Sequence, residues 1–301
     1  MKRVLVTGAS GLLGRALLPR LLDAGYEVHA VTTDAARLAF APGAQAQTAD
    51  LRDGAVCRAV VERVRPEALV HLAWDQKDAG FRNAPANLDW LSISVNLLRA
   101  FYDCGGKRFL FAGTSSEYDG RSGRMEETAA ARPVSMYGQC KRAFSETLQA
   151  FAGQYGVSAV TARYFTIYGE HDGHAFGAIP AATADFLAGR PVACRAPNTL
   201  RDYIYVGDAA AATLELLESE LCGAVNVASG VPRSMRAVFT ALARAADALP
   251  LLSFENEDQP GDILVADTGR LNRELGFTCR MNFEEGLRRT VAWRRKQGGH
   301  S

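Results

Sequence analysis

The sequence predicts an α/β protein: a doubly wound, Rossmann-type parallel sheet with a smaller, discontinuous substrate lobe. Short apolar, β-branched runs alternate with helix-length amphipathic segments through the first two thirds of the chain, a rhythm that builds βαβ units and hence a parallel sheet. The first of these runs leads directly into a glycine-rich turn and a helical segment, as in sheets that bind dinucleotides.

The elements follow one another in an order typical of this fold. Two segments carry apolar residues at helical spacing, at residues 12–24 and 87–104. The segments that read as buried strands are residues 2–7, 26–32, 68–73, 107–113 and 157–164. Because helices separate these strands, they are expected to run parallel, with helices on both faces of the sheet.

The rhythm changes after Tyr164. Many glycines and prolines follow it, with one helical stretch near residues 180–188, and a strand at residues 223–228 returns to the sheet. Two further helical segments and a polar loop complete the chain. We therefore expect a Rossmann-like dinucleotide-binding domain at residues 1–165 and 201–228, and a substrate-binding lobe at residues 166–200 and 229–301.

Composition limits the classes of partner. The 301 residues are 48% hydrophobic and 22% charged, and the formal net charge is +1. Without an excess of basic residues we expect neither a nucleic acid nor a membrane as a partner. No apolar run reaches the roughly 18 residues of a membrane-spanning helix. The six cysteines are widely spaced and are expected to be reduced thiols of a cytoplasmic protein.

The glycine-rich turn predicts a phosphate-binding loop. Gly8 permits a tight turn, Gly11 lets a pyrophosphate approach the backbone, and Gly14 allows close contact between helix and strand. The N-terminus of the following helix then offers free N–H groups to the phosphates. The residues expected to contact the cofactor here are Gly8, Ser10, Gly11, Leu12, Leu13 and Gly14.

The end of the second strand favours NADP over NAD. An acidic residue there binds the ribose 2′-hydroxyl in NAD-selective sites, but this chain has Thr32 and Thr33. A hydroxyl does not repel a 2′-phosphate, and Arg37 is placed to pair with it. Asp34 lies one or two positions late for the acidic role. After the third strand, Asp50 and Leu51 are expected beside the adenine.

The spacing of Tyr137 and Lys141 predicts an acid/base pair. Their i, i+4 spacing places the phenol and the ammonium on one helix face. A nearby cation favours the phenolate, so we expect Lys141 to lower the pKa of Tyr137. Thr114, Ser115 and Ser116 end another strand, where ligands bind in sheets of this kind.

These motifs together resemble the extended short-chain dehydrogenase/reductases, in the branch of NAD(P)-dependent nucleotide-sugar epimerases, dehydratases and 4-ketoreductases. The resemblance covers essentially the whole chain. Its carriers are TGASGLLG (7–14), ADL (49–51), VHLAW (70–74), FAGTSSEY (111–118), YGQCK (137–141), RYFTIYG (163–169) and RDYIYVGD (201–208).

The resemblance implies residue roles that the spacing alone does not. Tyr137 is expected to be the catalytic acid/base, Lys141 to hold the nicotinamide ribose, and Thr114 to bond the reacting sugar oxygen. Arg201 is expected to contact the substrate diphosphate, with a structural ion pair as its alternative. The remaining expected contacts are Leu72, Ala73, Trp74 and Tyr164 to the cofactor, and Ser115, Ser116 and Thr166 to the substrate.

Two departures from the family pattern reduce the number of activities that the sequence allows. Dehydratases carry an Asp-Glu pair after the threonine, and this chain has Ser115-Ser116, so dehydration is rejected. Many relatives carry Asn in place of Thr166. The leading hypothesis is an NAD(P)H-dependent reductase of a nucleotide-linked 4-keto-6-deoxyhexose, with hydride going to C4 and Tyr137 as proton donor.

The alternatives are an epimerase, a different reductase and a non-enzyme. A nucleotide-sugar 4-epimerase uses the same triad and retains its NAD. A reductase of free aldehydes or ketones would have no use for Arg201, and a non-catalytic NADP-binding regulator would not need the Tyr/Lys pair. We expect the protein to be a homodimer. We expect no metal, because His171 and His174 have no further ligand at suitable spacing.

Overall fold

The computed structural model describes residues 2–76, 78–118, 123–130, 133–173 and 176–298. The strands are β1 (Arg3–Thr7), β2 (Glu27–Thr32), β3 (Gln45–Thr48), β4 (Ala68–His71), β5 (Arg108–Thr114), β6 (Gly123–Met125), β7 (Ser158–Tyr164), β8 (Thr166–Tyr168), β9 (Val192–Cys194), β10 (Leu200–Tyr205), β11 (Gly223–Val227), β12 (Pro232–Ser234), β13 (Leu252–Phe254) and β14 (Ile263–Ala266). The α-helices are α1 (Leu12–Asp23), α2 (Gly54–Val64), α3 (Ala86–Asp103), α4 (Met136–Tyr155), α5 (Ala178–Leu187), α6 (Val206–Glu218), α7 (Met235–Ala245) and α8 (Phe283–Gly298).

A seven-stranded sheet forms the centre of the molecule. Its strand order is β11-β7-β5-β4-β1-β2-β3, and every neighbouring pair is parallel. The predicted doubly wound sheet is therefore confirmed. The direction of winding reverses between β1 and β4, whose ends meet where Thr7 lies beside His71. In sheets of this kind, ligands bind in the crevice at that reversal.

Helices cover both faces of this sheet. On one face α1 and α6 pack against alternate strand residues, with Leu17, Leu18 and Leu216 fully buried. On the other face α2, α3 and α4 enclose a second cluster that includes Phe109 and Phe144. Burial of each such side chain stabilises the fold by about 1.5–3 kcal/mol, so the sheet is a rigid platform for the loops at its edge.

A second set of strands lies outside the large sheet. β10 pairs with β8, β12 and β14, and β14 pairs with β6, while β9 and β13 form a separate pair. Helices α5, α7 and α8 pack around a third apolar cluster. Of the expected segment 201–228, β11 joins the large sheet and α6 covers it, whereas β10 belongs to the smaller sheet. The division into two domains stays a prediction.

None of the described helices combines the length and the apolar character needed to cross a bilayer. All six cysteine thiols are free.

Candidate active site

The glycine-rich loop has room for nothing larger than glycine at two positions. Gly8 adopts a φ of 67°, and a Cβ there would lie 2.7 Å from the Ala73 nitrogen. A Cβ on Gly14 would overlap the backbone carbonyl oxygens of Gly8 and Ala9. Between them, the Gly11 N–H donates to the Gly8 carbonyl over 3.0 Å. These contacts bring α1 close to β1, the geometry that the spacing of the glycines predicts.

The start of α1 is suited to a pyrophosphate. The helix begins at Leu12, and no side chain caps its first N–H groups at Gly11. Uncapped N–H groups and the positive end of the helix dipole together favour a bound anion. Leu13 is buried under the loop, whereas Ser10 and Leu12 are half-buried at its rim. The loop therefore fits the phosphates of a dinucleotide.

A buried hydrogen-bond chain shapes the neighbouring loop after β4. The Ala73 N–H donates to Thr7 Oγ1 over 3.2 Å. The Ser94 hydroxyl donates to the Trp90 carbonyl, so its oxygen accepts from His71 Nε2 over 2.9 Å. His71 Nδ1 therefore accepts the Thr7 hydroxyl over 2.7 Å. Burial, with Lys141 nearby, lowers the pKa of His71 to about 3, so its ring is neutral. These hydrogen bonds hold Leu72 and Ala73 against the glycine-rich loop.

The end of β2 presents no carboxylate in the expected place. Thr32 is buried, and its hydroxyl donates to the Asp34 carbonyl over 3.0 Å. The Asp34 carboxylate accepts the Ala36 N–H over 2.9 Å and so caps a short 3₁₀ turn. Thr33 and Arg37 are exposed, and Arg37 forms no ion pair with any residue that the structure describes.

Two adenine contacts are predicted after β3, of which Asp50 lies on the surface and Leu51 in the core. The Asp50 carboxylate accepts a hydrogen bond from Arg52 Nε over 2.9 Å. Leu51 is buried in the second apolar cluster.

Tyr137 and Lys141 share one buried face at the start of α4. The Ser135 hydroxyl accepts the Gly138 N–H over 3.1 Å and caps the helix, which fixes where the pair begins. Lys141 Nζ donates to the Ala112 carbonyl of β5 over 2.8 Å. Tyr137 Oη accepts a hydrogen bond from Gln76 Nε2 over 2.8 Å. Tyr137 and Lys141 therefore lie against the carboxyl end of β5.

Burial dominates the electrostatics of this pair. It raises the pKa of Tyr137 to about 12, although hydrogen bonds from Thr114 and Gln76 act in the opposite direction. Burial also lowers the pKa of Lys141 to about 7, against the attraction of Glu117. The expectation that Lys141 lowers the pKa of Tyr137 is therefore wrong for this structure, because removing the phenolate from water costs more than its neighbours return.

Thr114 opens a tight turn at the end of β5. Its hydroxyl accepts the Ser116 N–H over 3.2 Å, and its own N–H donates to Glu117 Oε1 over 2.8 Å. This capping box holds the Thr114 side chain at the phenol of Tyr137. Ser115 and Ser116 are half-buried, and Ser116 Oγ accepts Arg82 Nη1 over 3.2 Å.

Three predicted contacts lie further from the pair. Arg201, in β10, forms an ion pair with Asp262 at 2.8 Å, which is the structural alternative considered for it. The Tyr164 hydroxyl is bonded to Thr213 over 2.6 Å in the core. Thr166 is exposed at the start of β8.

Three residues that touch this site are not among the predicted site residues. Gln76 bonds the phenol of Tyr137, the Phe81 ring lies 5.2 Å from the Tyr137 ring, and Arg82 reaches Ser116. All three belong to the loop between β4 and α3, whose backbone path no sequence pattern specifies. No group of three or more metal-binding side chains occurs in the described residues; His174 lies outside them.

Comparison with known proteins gives a consistent family. The sequence model described as the NAD dependent epimerase/dehydratase family matches residues 4–228. A UDP-glucose 4-epimerase of Azospirillum brasilense is 29% identical over 97% of this chain and 92% of its own length. A dTDP-glucose 4,6-dehydratase of Haemophilus influenzae is 24% identical over 97% of this chain and 98% of its own.

Solved structures show the same fold. A Thermus thermophilus UDP-glucose 4-epimerase, solved with NAD, is 30% identical and superposes with a TM-score of 0.85 over 97% of this chain and 99% of its own. The Thermotoga maritima UDP-glucose 4-epimerase, solved with UDP-glucose, is 26% identical with a TM-score of 0.87 over 98% of this chain and 99% of its own.

Proposed function

Because this chain belongs to the NAD-dependent epimerase/dehydratase family and is therefore an enzyme, we propose that it reduces a nucleotide-linked 4-keto-6-deoxyhexose at C4. The resemblance to extended short-chain dehydrogenase/reductases is confirmed by the family match and by the solved structures. The observation that carries the proposal is the buried Tyr137 phenol at the edge of the sheet, with Lys141 Nζ 5.8 Å from the centre of its ring.

In this proposal each residue of the triad has one task. The nicotinamide, when bound, supplies the hydride to C4. The Tyr137 phenol gives its proton to the sugar O4, and a phenol with a pKa near 12 is protonated at neutral pH, as a donor must be. Thr114 donates a hydrogen bond where negative charge develops on O4, and the Lys141 ammonium stabilises the phenolate that remains.

The residues after Thr114 argue against dehydration. Elimination of water across C5 and C6 needs an acid and a base at the positions of Ser115 and Ser116, and hydroxyls are too weak for either role. Glu117 does not replace them, because its carboxylate is fully buried and holds Arg163 and the Thr114 N–H.

For the cofactor we propose NADP rather than NAD. The Asp34 carboxylate at the end of β2 is engaged by the Ala36 N–H, and Thr32 turns its hydroxyl to the backbone. The exposed Arg37 is available to a 2′-phosphate. The Thermus thermophilus structure contains NAD, so we propose that this chain differs from that protein in its preference for NADP.

A nucleotide-sugar 4-epimerase is the second candidate. The similar proteins from Azospirillum brasilense, Thermus thermophilus and Thermotoga maritima bear that name. Epimerisation uses the same triad in both directions and consumes no cofactor, so the triad alone does not separate the two activities. The end of β2 favours the reductase, because an epimerase must retain its NAD.

We further propose that Arg201 and Thr166 face the nucleotide sugar and that the protein is a homodimer. Arg201 would exchange part of its bond to the half-exposed Asp262 for the substrate diphosphate, which suits a guanidinium fork. Leu88 and Val95 of α3 are 54% and 40% exposed, apolar positions that a second copy would cover. Sedimentation equilibrium should then give twice the mass of the chain.

The test follows nicotinamide absorbance with NADPH and NADH in parallel. The second substrate is a nucleotide-linked 4-keto-6-deoxyhexose generated in situ. Stoichiometric oxidation, faster with NADPH, is the expected result. Interconversion of UDP-hexoses without net oxidation would establish the epimerase instead. If both assays are silent while cofactor binds, and if Tyr137→Phe binds it equally well, the protein is a non-catalytic NADP-binding regulator.

A further inference from the structure

The loop between β4 and α3 packs directly onto the Tyr137–Lys141 face. Gln76 bonds the phenol, and Phe81 lies edge-on to the Tyr137 ring at 5.2 Å. The Trp74 indole is also edge-on to that ring at 6.1 Å. Nothing in the expected roles of the triad explains why this loop should contribute a polar side chain and two aromatic rings here.

Gln76 determines which way the phenol can donate. Its Nε2 group donates to Tyr137 Oη over 2.8 Å, and a phenol has a single proton of its own. With one side of the oxygen accepting from Gln76, the phenol proton is left to point away from Gln76. A donor to the phenol oxygen also favours the phenolate that forms once the proton has left.

Trp74 determines the surroundings of the ammonium. Lys141 Nζ lies 4.1 Å from the centre of the indole and 4.7 Å from that of Phe111, in a site where the lysine is 2% exposed. Attraction to the face of an indole favours the charged amine, and this effect strengthens when water is excluded. Burial alone would favour the neutral amine.

Trp74 is itself fixed in place from α3. Its Nε1 group donates to Asn87 Oδ1 over 2.8 Å, and its ring stacks on Trp90 at 6.2 Å. Asn87 in turn donates to the Phe81 carbonyl over 2.6 Å, which anchors the same loop. The indole therefore cannot leave Lys141 without breaking contacts at the start of α3.

We propose that Trp74 and Gln76 are positioning residues for the proposed reaction: Trp74 favours the ammonium form of Lys141, and Gln76 directs the Tyr137 proton toward the reacting oxygen. This inference rests on the proposed function. It adds two residues outside the triad, and each acts through a different member of it.

Other titratable groups near the pair stay unchanged in the variants below. They are the Glu117–Arg163 ion pair, Arg82 of the same loop, and His71, whose ring is neutral.

The experiment compares four variants with the wild-type enzyme. Gln76→Met removes the donor, and Gln76→Glu replaces it with an acceptor of the same length. Trp74→Leu removes the aromatic face, whereas Trp74→Phe retains one. Turnover, the KM for the sugar, the solvent deuterium isotope effect and the pH profile are measured for each, and circular dichroism checks folding.

We expect kcat to fall about tenfold in Gln76→Met and further in Gln76→Glu, with KM little changed, because the proton is no longer directed. The solvent isotope effect should rise as proton transfer becomes slower. Trp74→Leu should move the basic limb of the pH profile to lower pH, and Trp74→Phe should restore it.

Unchanged isotope effects in both Gln76 variants, together with an unchanged basic limb in Trp74→Leu, would overturn the inference. If Trp74→Leu does not fold, Trp74→Phe and the two variants of the half-buried Gln76 still test the inference. Tyr137→Phe distinguishes failure of this inference from failure of the proposed function. Full turnover in Tyr137→Phe would contradict the proposed function, whereas loss of turnover would agree with it.

Discussion

Glu117 and Arg163 form a buried ion pair directly behind the turn that carries Thr114. Arg163 Nε donates to Glu117 Oε2 over 2.9 Å, and the two side chains are 8% and 0% exposed respectively. The second oxygen of Glu117 accepts the Thr114 N–H over 2.8 Å. Arg163 also donates to the Tyr118 hydroxyl over 3.1 Å. The pair thus joins β7 to the turn at the end of β5.

Breaking this pair should lower the stability of the protein. We expect Glu117→Gln to lower the free energy of unfolding by about 3 kcal/mol, because it leaves a buried guanidinium without its counter-charge. Urea unfolding measures this effect. Glu285→Gln, in the exposed pair with Arg288, is the control and should change the value by less than about 1 kcal/mol. Equal losses in the two variants would show that the buried pair has no special weight.

The glycine-rich loop should reject even one methyl group at Gly14. Gly14→Ala places a Cβ against the carbonyl oxygens of Gly8 and Ala9, so α1 must move away from β1. We expect lower thermal stability and loss of cofactor binding, measured by titration calorimetry. Gly153→Ala in α4 is the matched control, since its Cβ meets open space. It should stabilise the helix by about 0.5–1 kcal/mol and leave cofactor binding intact.

Lys141 should make the stability of the wild-type protein depend on pH. Its pKa is about 7 in the folded protein against an ordinary value of 10.5. Between these pH values the unfolded chain holds a proton that the folded chain has released, so stability rises with pH. Relative to Lys141→Met, the wild type should therefore gain stability from pH 7 to pH 10. Parallel unfolding curves for the two proteins across this range would contradict the burial of the amine.

The cofactor preference should depend on Arg37. If the guanidinium pairs with a 2′-phosphate, Arg37→Gln should raise the KM for NADPH about tenfold and leave that for NADH unchanged. Arg294→Gln, at an exposed position on α8, controls for the loss of a surface charge. A rise of the same size with both cofactors would place Arg37 outside the phosphate site.

The fold was predictable because its signals are local. The glycine spacing at residues 8–14 and the alternation of strands and helices each depend on neighbouring residues, and both predicted the sheet that β1 to β5 form. The i, i+4 pair was predictable for the same reason. By contrast, Gln76 and Tyr137 are 61 residues apart, and Glu117 and Arg163 are 46 apart, so their contacts depend on how loops close.

Electrostatic expectations failed for a related reason. Spacing alone places Lys141 beside Tyr137 and predicts a lowered pKa for the phenol, but spacing contains no measure of burial. Phe81, Trp74 and the backbone of β5 exclude water from the pair, and that exclusion raises the pKa of the phenol. Likewise, the assignment of β10 to the smaller sheet follows from its pairing with β8 and β14, partners that lie far from it in sequence.

The most direct test of C4 reduction is the fate of the transferred hydrogen. NADPH carrying deuterium at the transferable C4 position of the nicotinamide is incubated with the protein and a nucleotide-linked 4-keto-6-deoxyhexose, and the sugar product is analysed by NMR and mass spectrometry. We expect one deuterium at sugar C4 for each NADPH oxidised. Tyr137→Phe should not turn over and should therefore give no labelled product. A sugar product without deuterium, formed while the added NADPH is unconsumed, would contradict the proposed C4 reduction.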